Sequence, residues 1–431
     1  MDLNKIIEIT SGIKVNAFKN NKIKHIVTDS RKIKKNDLFI ALKGDKYNGH
    51  DFVNGIKKAS GIVIEEDILI TTKVPVIKVS STMECLFQIG KYYRDNYNIP
   101  LIAITGSNGK TTTKELISYI LEAKYHVLKN KENYNNLIGV SDTLYQLHNK
   151  HDIIVMEIGM NHFGEISKLS KMCSPDIGVI TNIGSSHLEY LKTRKNIFKA
   201  KMELTEYLKG NLIVNGDDKY LKKIKNSFKC GRNYNNDLIA YNLYSNQDLL
   251  EFNIFLDKEY RVCFHNPGLH FVNDILLAIK VCLMFNIDIQ TIIERINSFK
   301  MIDKRMNIIK KKDVTIIDDC YNANYESVKA GLETLKNNHQ RKLIILGDML
   351  ELGKASFRYH YKLNFILNKI SNKKVLTVGK YTKYIKGKHF DNNDALIDYL
   401  HNQEITNCVI YIKGSHGMHL DEITKWIMNN K

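Results

Sequence analysis

The sequence predicts an α/β protein of three domains, and three observations predict it. From about residue 99, apolar runs bounded by glycine or turn residues alternate with stretches patterned as helices. Such βαβ alternation implies a parallel sheet with helices on both faces. After about 303 the alternation restarts, which marks a second doubly wound unit. The length, 431 residues, suits roughly three domains at about 150 residues each.

Residues 1–98 carry short strands in HIVTDSRKI, DLFIALKG, GIVIEED and VPVIKVS, with a helix over 83–96, and read as a small α/β domain. Residues 99–302 form the central unit. LIAIT is a strand and 111–123 a helix; DIIVMEIG, DIGVITNIG and NLIVNGDD are further buried strands. The stretch 238–265 reads as meandering strands, followed by helices at 271–285 and 288–299. Residues 303–431 form a Rossmann-like unit. Its strands are VTIIDDC, KLIILGD, KVLTVG and CVIYIKG, and its helices lie near 325–337, 355–370, 394–401 and 418–429. Two nucleotide-type sheets suggest a cleft between them, because ligands of open α/β sheets bind outside the carboxyl ends of the strands.

Composition narrows the function classes. The longest apolar runs are interrupted by charge and fall far short of a membrane span. The N-terminus, MDLNKIIEITSG, has charges where a signal peptide needs an apolar core, so a cytoplasmic protein without a membrane partner is expected. The seven cysteines are scattered with no CxxC pair, which argues against a disulfide framework or structural zinc and for reduced, buried thiols. The formal net charge is +18, but the basic residues are spread along the chain with no RNA-binding signature. No nucleic-acid partner is expected; the positive field would attract small anionic substrates.

The chemistry starts at IAITGSNGKTTTKE, residues 102–115: a strand, a glycine turn, then Lys and three Thr opening a helix. Counted back from Gly109-Lys110, the usual first glycine of a phosphate loop falls on Ile104, so the working form here is Gly106, Ser107, Asn108, Gly109, Lys110, Thr111 and Thr112. The mechanism survives that departure. Glycines let backbone N–H groups approach phosphate oxygens, the helix N-terminus adds positive potential, Lys110 reaches the β/γ-phosphates and Thr111 can hold Mg²⁺. This alone says ATP or GTP, and leaves kinase, GTPase and ligase open.

Glu157 ends the strand in MEIGMN, and His187 lies just beyond the next one in ITNIGSSHLEY. Each has an ordinary reading, a solvated Glu or a loop His. Together, downstream of a phosphate loop, they favour Mg²⁺, although that ion prefers oxygen to imidazole. Lys201, in FKAKMEL, follows on a predicted helix, where a lone Lys is normally solvated.

With these residues assembled, the chain resembles the Mur ligases, the ATP-dependent amino-acid adding enzymes of peptidoglycan synthesis. TGSNGKTTTK and the FKAKMEL Lys are shared across that family. IDDCYNAN at 317–324, LGDMLELG at 346–353, NYNNLIG at 133–139, EIGMNHFGEI at 157–166 and KGSHGM at 413–418 resemble its D-alanyl-D-alanine-adding member. TDSRKIKKNDLFIALKGDKYNGHDF at 28–52 resembles its uridine-nucleotide domain. The resemblance implies that the γ-phosphate passes to a peptide carboxylate and that an amine attacks the acyl phosphate. The implied substrates are UDP-N-acetylmuramoyl-tripeptide and D-Ala-D-Ala, in a protein expected to be a monomer. It implies a catalytic set of Lys110, Lys201 and His187, metal ligands Thr111, Glu157, His187 and Lys201 as a carbamate, and a nucleotide site that adds Asn273, Arg305 and Asp319 to the phosphate loop. It implies substrate contacts from Ser30, Arg31, Asn135, Asn136, Tyr321, Asn322 and Asn324.

The family pattern is not matched everywhere. Tyr325 stands where Pro usually follows YNAN, His416 where Arg is common in KGSRG, Phe271 for the Asn of HN, and Ser141 for the Pro of NNxIGxP. None touches Lys110, Glu157, His187 or Lys201. Two rival readings remain: another Mur-type amide ligase, such as a folylpolyglutamate synthase-like enzyme, and a non-catalytic protein that kept the fold. A dedicated N-terminal domain with DSR and NGHDF favours a UDP-sugar substrate over the first. The retained phosphate Lys and metal ligands weigh against the second.

Overall fold

The computed structural model describes residues 1–44, 47–246, 248–301, 304–336 and 338–430. Three sheets follow one another along the chain. In the N-terminal sheet the strands lie in the order Ile13–Lys14, Val76–Lys78, Gly61–Ile64, Leu38–Ile40, Ile26–Val27; only the first pair is antiparallel. Side chains alternate across it as the pleat requires. Leu38, Ile40 and Val63 pack with Leu3, Ile6, Leu86 and Ile89, while Phe39, Ile62 and Val76 fill the opposite face. The helix Thr82–Asp95, capped by Ser81, closes the domain against the central unit.

The central sheet has nine strands. Its parallel part runs Leu238–Ser245, Phe228–Gly231, Asn211–Asn215, Ile177–Ile180, Leu101–Thr105, Ile153–Glu157, Val127–Lys129. An antiparallel meander adds Leu250–Phe255 and Glu259–Phe264 at one edge. The strand Leu101–Thr105 lies between Ile153–Glu157 and Ile177–Ile180. The chain therefore winds first to one side of it and then to the other, which makes its carboxyl end the switch point where a ligand crevice opens. The central strands Leu101–Thr105, Ile153–Glu157 and Ile177–Ile180 are covered on both faces and buried throughout, whereas the edge strands Leu238–Ser245, Leu250–Phe255 and Glu259–Phe264 alternate between buried and more exposed residues.

The third sheet runs Asn307–Lys311, Val314–Asp318, Cys408–Lys413, Arg341–Gly347, Lys373–Val378, Lys388–Phe390, parallel except for the first pair. One face joins the apolar core of the central unit through Val328, Leu332, Leu346 and Leu363; the other has its own core around Ile316, Ile345 and Ile423. The expected α/β architecture and its buried strands are present. Short strands that sequence patterning passed over are Ile13–Lys14, Val127–Lys129, Phe228–Gly231, Asn307–Lys311 and Lys388–Phe390, together with the opening helix Leu3–Thr10. The expected domain boundary at 302/303 lies outside the described residues. All seven cysteines are free thiols, six of them buried and Cys263 half-buried.

Candidate active site

The strand Leu101–Thr105 delivers the chain into Gly106, whose φ is +155°, and Gly109, whose φ is +76°. A Cβ at Gly106 would lie 1.8 Å from Thr181 Oγ1, and one at Gly109 would lie 2.3 Å from Asp274 Oδ1. Neither position admits a side chain. The helix Lys110–Leu121 starts at Gly109 without a side-chain cap, so the N–H groups of its first turn face the cleft as anion donors. The loop is held from the neighbouring strand end. Ser107 N donates to Asn182 O at 3.0 Å, Asn108 N to Asn182 Oδ1 at 3.0 Å, and Gly184 N to Ser107 Oγ at 2.8 Å.

Glu157, 1 % exposed, sits at the end of its strand beside the loop. Its carboxylate accepts from Thr111 Oγ1 at 2.7 Å and from Asn135 Nδ2 at 2.7 Å. Asn130 fixes the Glu157 backbone from both sides, accepting its N–H at 2.9 Å and donating to its carbonyl at 2.9 Å. Lys110 Nζ and Lys201 Nζ each donate to Gly106 O at 3.0 Å. Lys201 is buried, contrary to the ordinary expectation for a lone helical Lys. Burial, followed by the Lys110 charge, holds its pKa well below the usual range, against the pull of Glu157. Burial also pushes Lys110 down. His187 adopts a left-handed conformation, with φ 60°, at the start of Leu188–Leu191, and its Nδ1 lies 2.9 Å from Glu351 Oε2. Burial lowers the His187 pKa while Glu351 opposes the shift.

The third domain docks directly on this loop. Asn324 caps the helix Tyr325–Thr334 in a reciprocal capping box with Ser327 and donates Nδ2 to Asn108 Oδ1 at 2.6 Å and to Ser186 Oγ at 2.7 Å. Glu326 Oε2 accepts from Ser185 N at 2.9 Å and from Ser185 Oγ at 2.6 Å. Glu189 N donates to Glu351 O at 2.9 Å. Behind these contacts, buried Asp319 pairs with Lys413 Nζ at 2.6 Å and accepts from Tyr411 OH at 3.1 Å. The Arg305 guanidinium lies 3.9 Å from the centre of the Tyr321 ring. Lys413 Nζ also donates to Asn322 O at 3.0 Å.

The result is a cleft of about 1230 Å³ between the domains. It brings together Ser107 to Thr112, Asn135, Asn136, Glu157, His187, Asn273, Arg305, Asp319, Tyr321, Asn322 and Asn324, and extends to Met83 at the N-terminal domain's helix. Asn136 spends its side chain capping Leu137–Leu144. Asn273 Oδ1 is buried without a hydrogen-bond partner, which is costly unless a ligand meets it. Ser30 and Arg31 are not in the lining. They sit on a short turn of the N-terminal domain, where Arg31 makes a bidentate pair with Asp29 at 2.9 Å.

Among the described residues no three His, Cys, Asp or Glu side chains form a ready metal cluster. The donor set nevertheless fits a hard divalent ion. Mg²⁺ is typically held by one or two carboxylates plus substrate phosphates and waters, and here Thr111 and Glu157 present oxygens beside a phosphate loop.

The sequence reading missed Glu326, Glu351, Asn182 and Asp274. Of the departures from the family pattern, Tyr325 takes the first position of its helix, where Pro is also favoured, and packs on Tyr359 at 5.2 Å. Phe271 is buried against Phe264 at 5.3 Å. Ser141 donates to Leu86 O at 3.3 Å, and His416 stands edge-on to Tyr321 at 6.0 Å.

Comparison with known proteins finds relatives along nearly the whole chain. Residues 22–94 match the Mur ligase family catalytic domain, 104–282 the Mur ligase middle domain, and 304–416 the Mur ligase glutamate ligase domain. The UDP-N-acetylmuramoyl-tripeptide–D-alanyl-D-alanine ligase of Bacillus subtilis is 32 % identical, with 97 % of this chain and 96 % of that protein covered. That of Buchnera aphidicola is 33 % identical, with 99 % and 98 % covered. Among solved structures, MurF from Acinetobacter baumannii superposes with a TM-score of 0.91 at 28 % identity, covering 99 % of this chain and 98 % of that one. MurF from Thermotoga maritima in complex with ADP gives 0.85 at 25 % identity, covering 94 % and 97 %.

Proposed function

The chain belongs to the Mur ligase family, and from that premise we infer that it is the ATP-dependent, ADP-forming ligase that adds D-alanyl-D-alanine to UDP-N-acetylmuramoyl-tripeptide in peptidoglycan synthesis. The observation that carries this inference is a phosphate loop clamped by a second domain inside a cleft that reaches the N-terminal domain. That arrangement holds a nucleotide against a second substrate and shuts water out, as a phosphorylated carboxylate requires.

In the first step a carboxylate oxygen of the tripeptide attacks the γ-phosphorus of ATP and ADP leaves. In the second the dipeptide amine attacks the acyl carbon, and the tetrahedral centre collapses to amide and phosphate as the amine proton departs. Both steps gather negative charge. The first-turn N–H groups of Lys110–Leu121 and the Lys110 ammonium, which keeps donors beyond the one given to Gly106 O, stabilise it. Asn324 holds the third domain on the phosphate loop and Glu326 holds it on the neighbouring Ser185, and Arg305 and Tyr321 border the same space. Asn273, with its unpartnered Oδ1, is suited to meet the adenine.

Thr111, Glu157 and His187 would hold Mg²⁺, which supplies charge neutralisation to the phosphates. Lys201, buried and sharing an acceptor with Lys110, fits a carbamate better than a second ammonium. A neutral amine adds CO₂ and releases a proton, giving the oxygen anion that a hard ion prefers. Ser30 and Arg31 would serve the uridine nucleotide from the N-terminal domain. A cytoplasmic monomer suits these substrates, and no helix among the described residues is long and apolar enough to cross a membrane.

The test is phosphate release from ATP with the UDP-muramoyl tripeptide and a panel of acceptors. Release with D-Ala-D-Ala, and not with single amino acids such as D-Glu or L-Lys, is expected. Release with a single amino acid but not with the dipeptide would assign another Mur-type reaction.

A further inference from the structure

The helix Ser356–Leu367 of the third domain carries a feature that ligation does not use. Its inner face is buried through His360, Leu363, Asn364, Ile366 and Leu367. Its outer face bears Phe357, Tyr361 and Phe365, spaced i, i+4, i+8 and therefore stacked along one stripe. These rings are 53 %, 48 % and 61 % exposed, and Tyr384, 37 % exposed, extends the patch from the adjacent turn. The rings touch each other: Phe357 and Tyr361 stack at 5.9 Å, Tyr361 and Phe365 meet edge to face at 6.1 Å, and Phe357 meets Tyr384 at 4.6 Å. The patch is a continuous convex ridge rather than a set of separate platforms. Contiguous exposed apolar surface of this kind usually marks an interaction site.

Charge says what covers it. From Leu352 to Phe390 the sequence holds nine Lys and one Arg and no Asp or Glu. Lys354, Arg358, Lys369, Lys383 and Lys386 are exposed on this segment, and Lys383 Nζ lies 5.5 Å from the centre of the Tyr384 ring. A helix with aromatic residues on its outer face and cations beside them is the pattern of an element that lies in a membrane interface, rings among the acyl chains and ammonium groups among the headgroups. A convex ridge enters a soft surface; a groove would be needed to receive a peptide. Rings packed on one another cannot each accept a stacked base, which disfavours single-stranded nucleic acid.

We propose that this ridge docks the protein peripherally on an anionic phospholipid surface. The lack of a membrane-spanning helix among the described residues does not bear on such attachment. Each basic residue held at an anionic surface adds about fivefold in partitioning, an effect confined to low and moderate salt.

The test is co-sedimentation of the full chain with vesicles of phosphatidylcholine alone and of phosphatidylcholine with phosphatidylglycerol, at two salt concentrations. Binding to the phosphatidylglycerol vesicles, weak binding to the neutral ones, and loss of about tenfold or more in the F357S/Y361S/F365S variant, which removes the apolar area that would be buried, are expected. K369E/K383E/K386E should lose binding while the rings remain. Phe365→Ser alone, at the most exposed ring, gives a smaller loss without risk to the fold. Ligase activity in solution should stay at the parent level in all three variants, since none of these residues lines the cleft. No binding to phosphatidylglycerol vesicles, binding that survives the triple ring variant, tighter binding to single-stranded RNA than to vesicles, or a dimer abolished by the same ring substitutions would each overturn the proposal.

Discussion

Removing the Glu326 carboxylate should loosen the docking of the third domain on the central domain beside the phosphate loop. Glu326 lies in the first turn of Tyr325–Thr334, and one of its oxygens accepts both the N–H and the hydroxyl of Ser185. Hydrogen bonds to a charged acceptor contribute about 1.5–3 kcal/mol each when buried. The Glu326 side chain is 30 % exposed, so water competes, and about 2 kcal/mol for the pair is the reasonable figure. That shifts the equilibrium between docked and undocked domains by about 30-fold. If the docked form is the one that holds ATP, the apparent nucleotide affinity in Glu326→Ala falls by up to that factor, limited by the docked fraction of the parent. Calorimetric titration with a non-hydrolysable ATP analogue measures it, and small-angle scattering should show a larger radius at equal ligand. Glu326→Gln keeps an acceptor and should lose about half as much free energy. Parent-like affinity and radius in Glu326→Ala would refute the assignment of these contacts as the closing device.

The other predictions concern single groups. Lys201→Ala should lose most ligation, with partial return on adding acetate, which can place a carboxylate in the vacated space; a mild defect and no rescue would mark Lys201 as structural. Asp274 should give a pH signature in stability, because burial raises its carboxyl from 3.8 to about 8, with Thr113 opposing. A raised folded-state pKa stabilises fully below the unfolded value and loses that contribution as pH rises to the folded one. The melting temperature of the parent should therefore fall relative to Asp274→Asn across that window. Parallel melting curves from about pH 5 to about pH 8 would show that Asp274 is ionised beside Gly109.

Much of what lines the cleft was legible because its signals are local. Gly106, Gly109 and Lys110 follow a clean apolar strand and precede a clean helix, and both glycines prove to be positions where a side chain would collide. Lys201 was readable in part. It lies four residues after buried Ile197 on the same helical face, a placement that marks burial, yet its basic neighbours Lys195 and Lys199 suggest solvent. The domain clamp was not readable. Asn324 reaches Asn108 across 216 residues and Glu326 reaches Ser185 across 141. No periodicity in either segment encodes that contact, because it depends on how two separately folded sheets meet. Asp274 was hidden for a different reason: an acid in the first turn of a helix is ordinary, and only the absence of a Cβ at Gly109 lets its carboxyl press on the phosphate loop.

A ligase of this kind spends the γ-phosphate of ATP on a substrate carboxylate. The most direct measurement follows oxygen: UDP-N-acetylmuramoyl-tripeptide labelled with ¹⁸O in its terminal carboxylate is turned over with ATP and D-Ala-D-Ala, and the released phosphate is weighed by mass spectrometry. Transfer through an acyl phosphate places one labelled oxygen in each phosphate formed. Unlabelled phosphate, formed in step with the amide product, would rule out transfer through an acyl phosphate.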